Sequence, residues 1–182
     1  FYLLFQPRVD TQTGAVVSAE ALIRWNHPRL GPVGPAEFIP VFERTALMPA
    51  VSDWVVDAAL DQLAAWQREG LSLGMSINLA ASDLSTEGMA ERLLQKLAAR
   101  GLPPNLLEIE ITEGEWLRAN TVAGDQLACL ARVGVRVAID DFGSGYSNFG
   151  YLSRLPISTI KMDKSLVDHL ADDPGARLKA KA

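Results

Sequence analysis

Residues 106–112 read Leu-Leu-Glu-Ile-Glu-Ile-Thr, and no other stretch restricts the fold of this chain as tightly. Strand side chains alternate faces, so Leu107, Ile109 and Ile111 share one side while Glu108, Glu110 and Thr112 share the other. A parallel sheet covered on both sides is apolar on both faces; here one face is acidic. The same division recurs along the chain. Ile77 and Leu79 oppose Ser76 and Asn78; Val135, Val137 and Ile139 oppose Arg136, Ala138 and Asp140; Ile160 and Met162 oppose Thr159, Lys161 and Asp163. In an earlier segment Glu20, Leu22 and Arg24 share a face.

Between these strands lie helical stretches with their own stop signals. The pattern predicts a hairpin of Tyr2–Val9 and Ala15–Trp25 turned at Thr11–Gly14, then a Pro/Gly-rich loop from Pro28 to Pro35. Helices follow near Ala36–Thr45 and over Val51–Glu69, the latter stopped by Gly70. After that come strand Leu73–Leu79, helix Thr86–Arg100, strand Leu106–Thr112, helix Thr121–Val133, strand Val135–Asp140, a Gly-rich loop with a short helix through Leu155, strand Ile157–Met162 and a helix from Lys164. Six strands alternating with helices predict a single α/β domain with a largely parallel sheet. Polar groups gathered at the C-terminal ends of several strands suit a barrel whose open mouth collects them. Ion pairs on a solvated edge are the plain alternative, but burying several uncompensated carboxylates together costs several kcal/mol each. A closed eight-stranded barrel takes about 250 residues, and this chain has 182. It begins at Phe1 and reads as a piece of something longer.

With 17 basic against 22 acidic residues the chain lacks the surplus that drives binding to nucleic-acid polymers, and an anionic substrate would need a cation between. One cysteine, Cys129, excludes an internal disulfide and reads as core packing in a reducing compartment. No uncharged run reaches the roughly 18 residues of a membrane span. Glu20, Asn78, Glu110 and Asp140 offer oxygen ligands only, which select Mg²⁺, Mn²⁺ or Ca²⁺ over zinc. Two histidines, His27 and His169, are too few for a three-histidine centre. Asp141 follows Asp140 where the strand turns into Phe142-Gly143-Ser144-Gly145, so a second cation is conceivable there, and paired cations are the common apparatus of phosphodiester hydrolysis. The glycines suit a phosphate cradle or an ordinary turn equally well. Lys161 reads either as a partner of Asp140 or Asp163, or as a group that orients water or a phosphate oxygen.

Six ordered motifs carry a resemblance. Ser18-Ala19-Glu20-Ala21-Leu22-Ile23-Arg24-Trp25, Glu37-Phe38-Ile39-Pro40, Ile77-Asn78-Leu79, Glu108-Ile109-Glu110-Ile111-Thr112-Glu113, Asp140-Asp141-Phe142-Gly143-Ser144-Gly145-Tyr146-Ser147 and Ile160-Lys161-Met162-Asp163 resemble the successive motifs of the bacterial EAL domain, from Phe5 to about Val167. The resemblance implies a modified TIM-type (β/α) barrel with an antiparallel first strand. It implies a metal-dependent phosphodiesterase that linearises cyclic di-GMP to pGpG in bacterial second-messenger signalling, using Mg²⁺ or Mn²⁺, with two ions expected. By resemblance Glu20, Asn78, Glu110 and Asp140 ligate one ion, Asp141 contributes to the second, and Lys161 positions the attacking water. Glu113 steadies the loop after Asp141, and Gln6 and Arg24 contact substrate.

The family also continues with a strand bearing Glu-Gly-Val-Glu, which supplies the general base, and with a Gln-Gly-Tyr segment; neither stands in these residues. The expectation is therefore one EAL-type domain, 1–182, lacking its C-terminal strands, with catalysis belonging to the parent protein. The resemblance further implies a homodimer, neighbouring sensory or cyclase domains and a cytoplasmic site of action, with no membrane contact from this segment and no DNA or RNA partner. A receptor that binds the dinucleotide without cutting it is the alternative from another class.

Overall fold

In a computed structural model the described residues are 1–118, 121–143 and 156–168. The chain opens with β1 (Tyr2–Val9) and β2 (Val16–His27), an antiparallel hairpin. Its turn is built by Asp10, whose Oδ1 accepts from the backbone N–H of Gln12 at 2.9 Å and of Thr13 at 2.7 Å, with Gly14 at φ 72°. Such side-chain-to-backbone bonds are what make Asp a turn former. Next come β3 (Gly31–Val33), α1 (Pro35–Phe42), α2 (Met48–Arg68) and β4 (Gly74–Asn78). They are followed by α3 (Ala81–Leu84), α4 (Met89–Ala99), β5 (Leu107–Thr112), α5 (Glu113–Arg118), α6 (Thr121–Arg132), β6 (Arg136–Phe142), β7 (Thr159–Met162) and α7 (Lys164–Val167).

The sheet runs β1-β2-β4-β5-β6-β7, with β3 paired to β2 off that path. Every pairing from β2 through β4, β5, β6 and β7 is parallel, and among the described residues only the hairpins β1/β2 and β2/β3 are antiparallel. The mixed α/β architecture and its antiparallel first strand agree with the sequence reading.

Three local details differ from it. A seventh strand, β3, lies inside the supposed Pro/Gly loop, where Val33 pairs with Trp25; at an edge, Pro32 forfeits no essential ladder bond. The helix expected over Thr86–Arg100 starts later, at Met89, because Gly88 adopts φ 72°, which no helix accommodates, and the chain before it forms the separate α3. Helix α5 directly continues β5. It is opened by Thr112 and Glu115: Glu115 N donates to Thr112 Oγ1 at 3.2 Å while Thr112 N donates to Glu115 Oε2 at 3.2 Å. This reciprocal pair is a capping box, and Thr112-x-x-Glu115 is its sequence signature. The Gly-rich loop beyond Gly143, the short helix read through Leu155, and the chain from His169 onward lie outside the described residues.

The two faces of the sheet have separate fates. Met75, Ile77, Leu107, Ile109, Ile111, Val137 and Ile139 are buried beneath helices that contribute Leu60 and Leu63, Leu93 and Leu97, and Leu127 and Leu130. Each such side chain contributes about 1.5–3 kcal/mol of burial. Cys129 is half-buried against this core. The opposite face carries Glu20, Ser76, Glu108, Glu110, Asp140 and Lys161, and of these Ser76, Glu108 and Glu110 are also buried.

Candidate metal centre

Register brings the polar groups together. Asn78 stands opposite Glu110, Glu20 opposite Ser76 and Thr112 opposite Asp140. Since side chains two residues apart share a face, Glu110 on β5 lies diagonally from Asp140 on β6, and Asn78 on β4 diagonally from Glu20 on β2. One carboxylate oxygen from each of Glu20, Glu110 and Asp140 falls within 4.8 Å of the others.

Lys161 enters this group from β7. Its Nζ donates to Asp140 Oδ2 at 2.8 Å, to Glu20 Oε2 at 3.0 Å, and to Glu110 Oε2. Burial disfavours the ammonium, but its bonds to Asp140, Glu110 and Glu20 outweigh that and raise the Lys161 pKa above its ordinary value. Asn78 Nδ2 donates to Glu20 Oε1 at 2.9 Å. Glu110 is fully buried, and burial raises its pKa, with Lys161 opposing and the nearby Glu20 charge adding to the rise. Fully ionised, three carboxylates against one ammonium leave a surplus of two negative charges. Among the described residues, no hydrogen-bond partner reaches the buried Glu110 Oε1. Hard oxygen donors, that surplus and an orphaned carboxylate oxygen together fit a hard divalent cation.

Asp141 is placed differently. It is the one non-glycine residue with positive φ among the described residues, at 52°, where the β6/β7 register shifts between Ile139 and Phe142. Its backbone N–H donates to Asp140 Oδ1 at 2.9 Å, but its own carboxylate is exposed and is not one of the converging three. Desolvation, then the Asp140 and Asp163 charges, raise its pKa. Glu113, buried at the start of α5, accepts from Gly143 N at 3.2 Å and so ties β5 to the turn after Asp141. Asp163 caps α7 through Ser165 N at 2.8 Å, which leaves Asp140 as the partner of Lys161.

The expected substrate contacts flank the centre. Gln6 is exposed and stands opposite Glu20 on β1. Arg24 lines a pocket of about 450 Å³ together with Ile39, Met48, Val51, Asn78 and Glu110. His27 has a structural role, its Nδ1 accepting from Arg29 N at 3.2 Å and Leu30 N at 3.1 Å.

Beneath the three carboxylates lies a second charged layer that sequence reasoning did not single out. Glu108 is 1% exposed and accepts from Arg8 Nη1 and, at 2.8 Å, from Thr159 Oγ1. The available signal was position: Arg8 follows Gln6 by two residues on the same face of β1.

The family model described as EAL domain matches residues 1–182. Cyclic di-GMP phosphodiesterase PA2567 of Pseudomonas aeruginosa is 42% identical over 177 residues, 97% of this chain and 30% of that protein. The bifunctional diguanylate cyclase/cyclic di-GMP phosphodiesterase MucR of the same organism is 36% identical over 172 residues, 94% of this chain and 25% of that protein. The chain thus spans less than a third of the curated relatives it matches. Among solved structures, the PaMucR phosphodiesterase in complex with c-di-GMP superposes with a TM-score of 0.89 at 34% identity, over 97% of this chain and 72% of that one. The FimX EAL domain from Pseudomonas aeruginosa bound to c-di-GMP gives 0.88 at 27% identity, over 99% and 72%.

Proposed function

The chain belongs to the EAL domain family, and on that footing we propose that it is the metal-site portion of a phosphodiesterase that opens one phosphodiester bond of cyclic di-GMP to give pGpG. The convergence of Glu20, Glu110 and Asp140 around Lys161 Nζ carries this reading. Glu20, Asn78, Glu110 and Asp140 would hold a Mg²⁺ or Mn²⁺ ion, with Asp141 available to a second. Such a cation, when bound, supplies Lewis-acid charge to a phosphodiester and acidifies water.

The chain's own groups do the rest. Lys161 is kept protonated by its three carboxylate partners, which here take all three of its N–H donors; were those carboxylates to turn to a cation, a donor would be freed to orient a water or a phosphate oxygen. Arg24 offers a guanidinium fork to a phosphate oxygen at the pocket wall, and Gln6 adds an amide on the neighbouring strand. Glu113 acts at one remove: by holding Gly143 N it fixes the backbone that sets the direction of Asp141.

The reading extends to residues 1–182 as one EAL-type domain, truncated or incompletely represented at its C-terminus, that pairs as a homodimer and works beside sensory or cyclase domains; the bifunctional cyclase/phosphodiesterase name of MucR supports the cyclase neighbour. No described helix is long and apolar enough to cross a membrane, and a cytoplasmic site of action belongs to the same proposal.

The test is to incubate the full-length protein with cyclic di-GMP and Mn²⁺ or Mg²⁺ beside a Glu20→Ala control, separating nucleotides by chromatography. Linear pGpG is expected from the unmutated protein alone. Tight binding of the dinucleotide with no linear product would assign the protein as a receptor instead.

A further inference from the structure

Arg8 touches both charged layers. Its Nη1 bonds Glu108 Oε1 and lies 3.7 Å from Glu110 Oε1, the buried carboxylate oxygen that has no hydrogen-bond partner among the described residues. Glu108 and Glu110 sit two residues apart on one face of β5, so a single guanidinium spans the interval between them. The aim of Arg8 is set by its strand: the β1/β2 pairing slips by one residue directly after it, Arg8 opposing Ser18 and Val9 opposing Val16. Irregularities of this kind re-aim a side chain next to a site.

Stability alone is a poor account of the pair. Replacing a buried ion pair by apolar residues of similar volume is often neutral or stabilising, whereas removing one partner strands a charge. On the Glu108 side the pair has further company, from Thr159 at 2.8 Å and Arg136 at 3.9 Å. Arg8 is the guanidinium that reaches the Glu110 carboxylate as well.

We propose that Arg8, clamped by Glu108, is a positioning residue of the metal centre that fixes the orientation of Glu110. The proposal rests on the reading of Glu20, Glu110 and Asp140 as metal ligands. By neutralising Glu108, Arg8 also confines the negative surplus to the layer of those three residues, above Glu108.

The experiment is a calorimetric titration of the full chain with Mn²⁺, without nucleotide, run beside thermal unfolding of the metal-free protein. Arg8→Met should weaken Mn²⁺ binding by about tenfold or more, the range seen when the support of a ligand is removed. Arg8→Lys, which keeps the charge, should recover most of that loss. The decisive variant is Arg8→Met with Glu108→Leu, in which no charge is stranded: its unfolding temperature should return toward that of the unmutated chain while its Mn²⁺ affinity stays low. That variant also carries the test if Arg8→Met alone fails to fold. Unmutated Mn²⁺ affinity in the double variant would overturn the positioning role and reduce the pair to a structural one. Absence of Mn²⁺ binding by the unmutated chain would overturn the metal reading itself, and the role of Arg8 with it.

Discussion

Lys161 Nζ lies 2.8 Å from Asp140 Oδ2, an ion pair between adjacent parallel strands that closes the polar face of the sheet at its C-terminal end. The same ammonium meets Glu20 and Glu110, so three acidic groups depend on one base. Removing one partner of a buried ionic group costs about 3–5 kcal/mol, and the partial exposure of Lys161 favours the lower end. Lys161→Met is expected to destabilise the metal-free chain by about 3 kcal/mol in urea unfolding. Added Mn²⁺ should restore part of that loss, since ligands of the native state stabilise it by mass action.

Glu110→Gln keeps the shape of a fully buried side chain and removes its charge. Mn²⁺ affinity by calorimetry is expected to fall by at least about tenfold, and pGpG formation with it. Because burial raises the Glu110 pKa, protons compete with the cation before ordinary carboxylates titrate. Mn²⁺ affinity of the unmutated chain should therefore begin to fall, on acidification, at a pH above the ordinary glutamate range.

Gly143→Ala tests the turn that Glu113 holds. Gly143 has φ 90°, and a Cβ there would collide with Leu166 Cδ1. A positive φ on alanine plus that overlap should cost about 2 kcal/mol or more, seen as a lower urea midpoint. Hydrolysis should suffer beyond the stability loss, because the same backbone directs Asp141.

Between α2 and α4, Arg100 Nη2 bonds Asp57 Oδ1 at 2.9 Å and Lys96 Nζ reaches Asp53 Oδ1 at 2.8 Å. Burial pushes the Asp57 carboxyl up, but its bonds to Lys96 and Arg100 prevail and hold it below the usual carboxylate range. A carboxyl depressed in the folded state contributes stability above its unfolded pKa and loses it as pH falls through the folded one. Asp57→Asn should cost about 0.5–1 kcal/mol at pH 7, the scale of a solvent-facing pair. Urea titrations at decreasing pH should show the difference closing below about pH 4.

The alternation of Leu107, Glu108, Ile109 and Glu110 made β5 and its two faces legible from local pattern, and the repeats around Glu20, Asn78, Asp140 and Lys161 did the same for the converging polar groups. What stayed hidden depends on contacts or on small backbone choices. β3 is three residues with a proline at its centre, a composition that reads as loop until Val33 finds Trp25. The capping box of Thr112 and Glu115 was written in the sequence, but the strand pattern ending at Thr112 masked it. Arg8 was invisible for a different reason. An arginine near the end of an edge strand reads as solvated, and only the sheet reveals Glu108 beside it.

The ion pair of Arg8 with Glu108 joins residues 100 positions apart, and that of Lys161 with Glu20 joins residues 141 apart. Contacts so distant in the chain form late, because the entropy of closing long loops must be met before they contribute. No short fragment can therefore assemble the centre: the first strands emerge from the ribosome without it, and its carboxylates meet only when β2, β5 and β6 share one sheet. Divalent-ion uptake by a refolding chain would consequently report a late stage of folding, after helical content has returned.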